Sequence, residues 1–121
     1  MQTFFFDTYA FHELIVSNEN YKPYSDVSII TTKLNLMELY YTLLLKYGRE
    51  AAEKYFDEFI SYTIEIDDDI FKKACEFKLS NKNKRLSYVD CIGYILAKSR
   101  NVKFLTGDKE FKYLENVEFA A

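Results

Sequence analysis

The stretch QTFFFDTYAF, residues 2–11, changes character abruptly at Asp7 and decides the fold class. Residues 3–6 form a short, continuous apolar run, which is typical of a strand buried on both faces of a parallel sheet. Residues 10–16 are predicted to form a short helix. A carboxylate at the edge of a core is costly unless it has a partner. We therefore expect Asp7 either to cap that helix or to face a functional site.

The rest of the chain continues this alternation of strands and helices. Further strands are predicted at residues 26–31, 62–66, 102–106 and 117–119. Helices are predicted at residues 33–47 and 49–60, after the aspartates at 67–69, and at 87–100 and 109–113. This order predicts a three-layer α/β/α fold with a central, mostly parallel sheet of about five strands. Residues 1–121 are expected to form a single domain.

Composition excludes several classes of function. The net charge of −3 argues against broad electrostatic binding to duplex nucleic acid. With two cysteines and one histidine, zinc sites of histidine and cysteine and serine–histidine triads have almost no residues to draw on. A metal would be held by oxygen, which favours Mg²⁺ or Mn²⁺. No membrane span or signal segment is recognisable, so a cytoplasmic protein is expected.

Four carboxylates occupy positions that could share one rim of the sheet. Asp7 ends the first strand, Asp108 follows the fourth, Asp90 lies in the first turn of a helix, and Glu38 lies farther into another. Ligands of open α/β sheets bind beyond the carboxyl ends of the strands. Two carboxylates ~4 Å apart repel by about 4 kcal/mol at an effective dielectric near 20. A divalent cation reverses this repulsion, so the cluster makes sense chiefly as a Mg²⁺ or Mn²⁺ site.

Each acid also has a purely structural interpretation. Asp7 and Asp108 could cap the helices that follow them, and Asp90 forms an S-x-x-D pattern with Ser87 that resembles a capping box. Glu38 has mostly apolar or aromatic neighbours, and a charge on such a helix needs a partner. No single one of these acids establishes a site.

Other polar residues give weaker indications. His12 is expected to be a bystander on a short surface helix. Lys82, Lys84 and Arg85, which we call the basic loop, either contact RNA phosphates or are simply solvated.

Four segments together resemble the PIN domain, and within it the VapC-type toxins of toxin–antitoxin operons. They are FFFDTYAF (4–11), TTKLNLMELYYTL (31–43), LSYVDCIGYILAKSRNVKFLTGDKEF (86–111) and VEF (117–119). The resemblance implies that the catalytic and metal-binding acids are Asp7, Glu38, Asp90 and Asp108. Thr106 matches the hydroxyl residue that assists at the fourth position, and Thr8 the one after the first aspartate. Tyr9 stands where a small polar residue is common.

The same resemblance implies a Mg²⁺- or Mn²⁺-dependent endoribonuclease that cuts single-stranded or looped RNA and leaves 5′-phosphate and 3′-hydroxyl ends. It also implies a cognate antitoxin and a homodimer. Three other interpretations stay open: a housekeeping RNA-processing nuclease, a catalytically silent PIN-like module that binds a protein, and a phosphotransfer protein of the doubly wound type. The last is disfavoured because residues 4–9, FFFDTY, lack the D-x-D pattern of such hydrolases.

Overall fold

The computed structural model describes residues 1–121 and places a parallel four-stranded sheet at the centre of the molecule. The strands are β1 (Thr3–Phe6), β2 (Ser28–Ile30), β3 (Lys103–Thr106) and β4 (Val117–Phe119), in the spatial order β2-β1-β3-β4. The helices are α1 (Thr8–Ile15), α2 (Lys33–Tyr47), α3 (Arg49–Phe59), α4 (Asp68–Ser80) and α5 (Tyr88–Ser99). Short 3₁₀ segments cover Glu19–Tyr24, Ile60–Tyr62 and Lys109–Phe111.

Successive residues of the central strands point to opposite faces of the sheet and build two separate cores. Phe4, Phe6 and Leu105 pack with α1, α2 and α3 on one face. Phe5 and Phe104 pack with α4 and α5 on the other. Because both faces are covered, β1 is apolar and buried over Phe4, Phe5 and Phe6, as the run at residues 3–6 predicted. The predicted three-layer α/β/α arrangement is confirmed.

The prediction of about five strands is wrong by one. Residues 62–66 form only an isolated parallel bridge between Thr31 and Thr63. Two backbone hydrogen bonds flank it, from Thr31 N to the Tyr62 carbonyl (3.0 Å) and from Ile64 N to the Thr31 carbonyl (2.9 Å). The ladder stops there because the next residue, Thr32, already caps α2. The alternating pattern of residues 62–66 instead places Ile64 and Ile66 against the α4–α5 core.

The parallel arrangement brings the carboxyl ends of β1 and β3, which are neighbours, to one edge of the sheet. Asp7 follows β1 directly, and Gly107 and Asp108 follow β3. The first turn of α5 carries Asp90 to the same edge, where it lines a cavity with both other aspartates. None of the helices is both long and apolar enough to cross a bilayer.

Candidate active site

A shallow cavity of about 480 Å³ lies at this edge of the sheet. It is lined by Asp7, Thr8, Tyr9, Asp90, Gly107, Asp108 and Lys109. Three of the four acids predicted from the sequence therefore share one cavity, although up to 101 residues separate them along the chain. The sequence predicted that all four acids could share this rim, and the structure differs in that Glu38 does not line the cavity.

Asp7 is the most deeply buried of these acids, with 4% of its surface exposed. Its Oδ1 accepts a hydrogen bond from the Ala10 amide at 2.7 Å, which caps α1. Burial raises the pKa of Asp7 from 3.8 to about 7, and the charges of Asp90 and Asp108 add to the rise. Hydrogen bonding from Thr106 and Ala10 opposes it. The ionised form of Asp7 is therefore held at a cost.

Asp90 and Asp108 also combine a capping role with a place at the cavity. Asp90 Oδ2 accepts from Ser87 N at 3.0 Å, and Ser87 Oγ accepts from Asp90 N at 3.0 Å, which completes a capping box. Asp108 Oδ1 accepts from Glu110 N at 2.9 Å. The two interpretations of these acids are thus compatible, because each cap engages one carboxylate oxygen. Burial raises the pKa of Asp90, and the Asp108 charge contributes, while the Ser87 hydrogen bonds and Lys78 oppose the rise.

Glu38 lies behind the cavity on α2 and reaches it through Thr8. The Thr8 hydroxyl donates to Glu38 Oε1 at 2.8 Å, and Thr8 itself lines the cavity. Burial raises the pKa of Glu38, with a contribution from the Asp90 charge, against the hydrogen bond from Thr8. Glu38 therefore belongs to the same electrostatic cluster without lining the cavity.

Sequence reasoning missed Asn35, which holds this side of the site together. Asn35 is buried in the first turn of α2, where its Oδ1 accepts from the Thr32 hydroxyl at 2.6 Å. Its Nδ2 donates to Thr8 Oγ1 at 3.3 Å. A series of hydrogen bonds through Thr32, Asn35, Thr8 and Glu38 thus connects the cap of α2 to the cavity. An asparagine flanked by Leu34 and Leu36 was the available signal.

Thr106 lies at the end of β3, fully buried between two of the acids. Its Oγ1 accepts from Asp108 N at 3.0 Å, and its side chain lowers the pKa of Asp7. Thr106 therefore contacts Asp7 and the backbone of Asp108 rather than lining the cavity itself.

The acids of the cluster are not neutralised by ion pairs. The salt bridges of the structure join His12 to Glu13, Lys73 to Asp69 and Lys98 to Glu115, all outside the cavity. Lys109 is the one basic residue that lines it. The structure contains no group of three or more histidine, cysteine, aspartate or glutamate side chains already arranged to hold a metal ion. The carboxylates thus surround the cavity instead of converging on one point.

The basic loop lies outside the cavity. Its connection to the site is a hydrogen bond from Arg85 N to Glu110 Oε1 at 2.7 Å, which ties the loop to the 3₁₀ segment after Asp108. His12 also lies elsewhere, with its Nδ1 at 2.8 Å from Glu13 Oε2.

Comparison with known proteins agrees with this fold. The family model described as "PIN domain" matches residues 4–117. No curated protein matches the chain. Among solved structures, VapC20 of Mycobacterium tuberculosis, described as a sarcin-ricin loop cleaving toxin, superposes with a TM-score of 0.82 at 17% identity, covering 98% of this chain and 99% of that one. DNA-bound VapBC of Salmonella typhimurium superposes with a TM-score of 0.74 at 19% identity, covering 98% of this chain and 97% of that one. A toxin–antitoxin complex of Klebsiella pneumoniae gives 0.73 at 18% identity, covering 94% of each chain.

Proposed function

The chain belongs to the PIN domain family, and from this premise we propose that it is a metal-dependent endoribonuclease acting on single-stranded or looped RNA. The observation that carries the proposal is the gathering of Asp7, Asp90 and Asp108 around one cavity without a cationic partner in an ion pair. Ionised Asp7 is unfavourable in this position, because burial raises its pKa and the charges of Asp90 and Asp108 add to the rise. A site that keeps this cost is a candidate for function.

The donor chemistry fits Mg²⁺ or Mn²⁺. Every candidate ligand is a carboxylate oxygen, and hard divalent cations prefer such oxygens. We propose Asp7, Asp90 and Asp108 as ligands and Glu38 as a ligand directly or through water. A divalent cation, when bound, supplies activation of a water nucleophile and neutralises charge at the phosphate.

The residues of the chain supply position and proton transfer. Thr106 acts as a positioning residue. Its hydroxyl accepts a hydrogen bond from the backbone amide of Asp108, and its side chain also hydrogen-bonds with Asp7. Thr8 and Asn35 orient Glu38 in the same way. A carboxylate of the cluster accepts the proton from the attacking water. The products are 5′-phosphate and 3′-hydroxyl ends.

We further propose that the protein is the toxin of a toxin–antitoxin pair located in the cytoplasm. Support comes from the solved structures that share its fold, which include a toxin and two toxin–antitoxin assemblies. At 17–19% identity these structures establish that the fold is shared, and the toxin role is proposed by analogy with the proteins that have this fold. A cognate antitoxin and a homodimer belong to the same proposal. A housekeeping nuclease and a silent binding module are the rivals.

Cleavage of a labelled structured RNA pool in Mn²⁺ and in EDTA tests the nuclease. We expect cleavage by the natural protein in Mn²⁺ alone, and its loss in Asp7→Asn and Asp90→Asn. Asp67→Asn is the matched control, because Asp67 caps α4 in the same way, through Ile70 N at 3.0 Å, but lies outside the cavity. Full activity of Asp7→Asn would refute the site. Inactivity of the natural protein with every divalent metal would favour the silent binding module.

Growth assays separate a toxin from a housekeeping enzyme. We expect expression of the protein alone to arrest growth, and co-expression of its cognate antitoxin to restore it. Growth without arrest at a level that gives cleavage in lysate would favour the housekeeping role.

A further inference from the structure

Tyr9 is the one hydrophobic side chain among the residues that line the acidic cavity. It lies in the first turn of α1, two residues after Asp7, and 38% of its surface is exposed. The ring takes no part in capping α1, which Asp7 caps, and the buried residues of this helix are Ala10 and Phe11. A partly exposed ring beside a cluster of acids therefore calls for a separate explanation.

The ring is held in place by its neighbours. A Cβ atom on Gly107 would overlap Tyr9 Cε1, so the ring packs directly against the backbone there. The Tyr21 ring lies on another side, with centroids 6.2 Å apart and planes inclined by 49°. Tyr21 is fully buried and its hydroxyl donates to the Ala120 carbonyl, so it provides a fixed support. Tyr9 thus presents a preorganised aromatic surface at the rim.

The lining of the same cavity also contains one basic side chain. Lys109 is exposed and follows Asp108 directly. The lining therefore combines acids that suit a divalent cation, an aromatic ring and one ammonium group. An unpaired nucleotide combines the matching groups, since its base stacks on an aromatic ring and its phosphate attracts a cation.

We infer that Tyr9 is a specificity-determining residue that stacks on the base of one unpaired nucleotide next to the cleavage site, while Lys109 contacts an adjoining phosphate. The inference rests on the proposed function, because it names how that RNA is held. Stacking on an aromatic side chain tolerates any base, so Tyr9 selects for unpaired RNA rather than for a sequence. Duplex RNA keeps its bases stacked on each other and gains nothing from Tyr9.

Binding measurements in Mg²⁺ buffer, in an Asp7→Asn background that prevents cleavage, test the inference. The probes are a fluorescein-labelled oligoadenylate and an abasic oligomer of equal length. We expect Tyr9→Leu to weaken oligoadenylate binding by about 5- to 150-fold, and Tyr9→Phe to leave it within about twofold. The abasic oligomer should lose almost nothing with Tyr9→Leu. Lys109→Gln should weaken both probes equally and reduce the salt dependence of binding.

Matched controls make the test decisive. Tyr113→Leu removes a tyrosine that is 90% exposed and lies outside the cavity, so it should leave both affinities unchanged. Unchanged oligoadenylate binding by Tyr9→Leu, or an equal loss with the abasic oligomer, would overturn the inference. If Tyr9→Leu fails to fold, the parent protein still decides, because equal affinity for the two probes contradicts stacking. These assays measure binding alone, so a failed cleavage assay would overturn the proposed function separately.

Discussion

Replacing Asp7 by asparagine should abolish RNA cleavage and at the same time stabilise the metal-free fold. The capping hydrogen bond from the Ala10 amide survives in the variant, since an asparagine oxygen accepts it equally well. What disappears is the buried negative charge. The rise of the pKa of Asp7 from 3.8 to about 7 corresponds to roughly 4 kcal/mol at about 1.36 kcal/mol per pH unit.

The sign of the effect follows from the direction of the pKa shift. The folded state binds the Asp7 proton more tightly than the unfolded state does, so this group favours folding below about pH 4. That contribution is lost as the pH rises through the folded value near 7. At about pH 8 the metal-free natural protein carries the full cost. We expect Asp7→Asn to raise its free energy of unfolding by about 2–4 kcal/mol there, since local relaxation reduces the upper limit, and by almost nothing at about pH 4.

Urea denaturation in EDTA at these two pH values measures the difference. Asp67→Asn serves as control, because Asp67 makes the same kind of cap in an exposed position outside the cavity. When the free Mn²⁺ concentration is a hundred times the Kd for Mn²⁺, the free energy of unfolding of the natural protein should rise by about 2.7 kcal/mol. The rise should be much smaller for Asp7→Asn. An Asp7→Asn variant destabilised equally at both pH values would refute the reasoning and leave Asp7 as a simple helix cap.

Three further predictions concern the surroundings of the site. Asn35→Ala removes the acceptor of the Thr32 hydroxyl and should lower the free energy of unfolding by about 1–3 kcal/mol in urea titration, so a loss below about 0.5 kcal/mol would contradict the proposed network. Gly107→Ala places a methyl group against the Tyr9 ring and 2.6 Å from the Ala120 carbonyl. It should lower the free energy of unfolding by about 1–3 kcal/mol and, because the Tyr9 ring must shift, also weaken oligoadenylate binding. Gly93→Ala is the control, since its methyl group would meet the Phe5 ring at 2.8 Å, and it should lower stability without changing RNA affinity. An equal loss of RNA affinity in the Gly93→Ala and Gly107→Ala variants would argue against a local role of Gly107. Replacing all three cations of the basic loop by glutamine should weaken RNA binding for every sequence and reduce its salt dependence; unchanged binding in a salt titration would remove the loop from the RNA interface.

Local chemistry made much of the fold predictable. The helix at residues 33–47 was predicted with its observed bounds, because Thr32 caps its start and Gly48, with φ of 92°, ends it. The strand before Asp7 was equally clear from its apolar run. The proximity of Asp7 and Asp108 followed from a general property of parallel sheets, which places the carboxyl ends of neighbouring strands at one edge.

Long-range contacts account for what the sequence did not predict. Residues 62–66 have a strand-like pattern, but whether they pair depends on how far β2 extends, and β2 stops to start α2. Thr8 and Asn35 meet across 27 residues, and neither has a local signal for the other. The basic loop precedes the helix that carries Asp90, yet sequence adjacency does not bring it to the cavity. Capping and a place at a shared cavity are alternatives in the sequence, whereas Asp7, Asp90 and Asp108 each cap a helical segment and also line the cavity.

Anomalous diffraction from a crystal soaked in Mn²⁺ tests the central claim most directly. The predicted result is a manganese peak in the cavity between Asp7, Asp90 and Asp108, with carboxylate oxygens about 2.1–2.3 Å away, and its loss in Asp7→Asn crystals soaked identically. A well-ordered cavity without manganese at saturating concentration, or a peak that persists in Asp7→Asn with no contact to Asp90 or Asp108, would contradict the claim that a divalent cation holds these acids together.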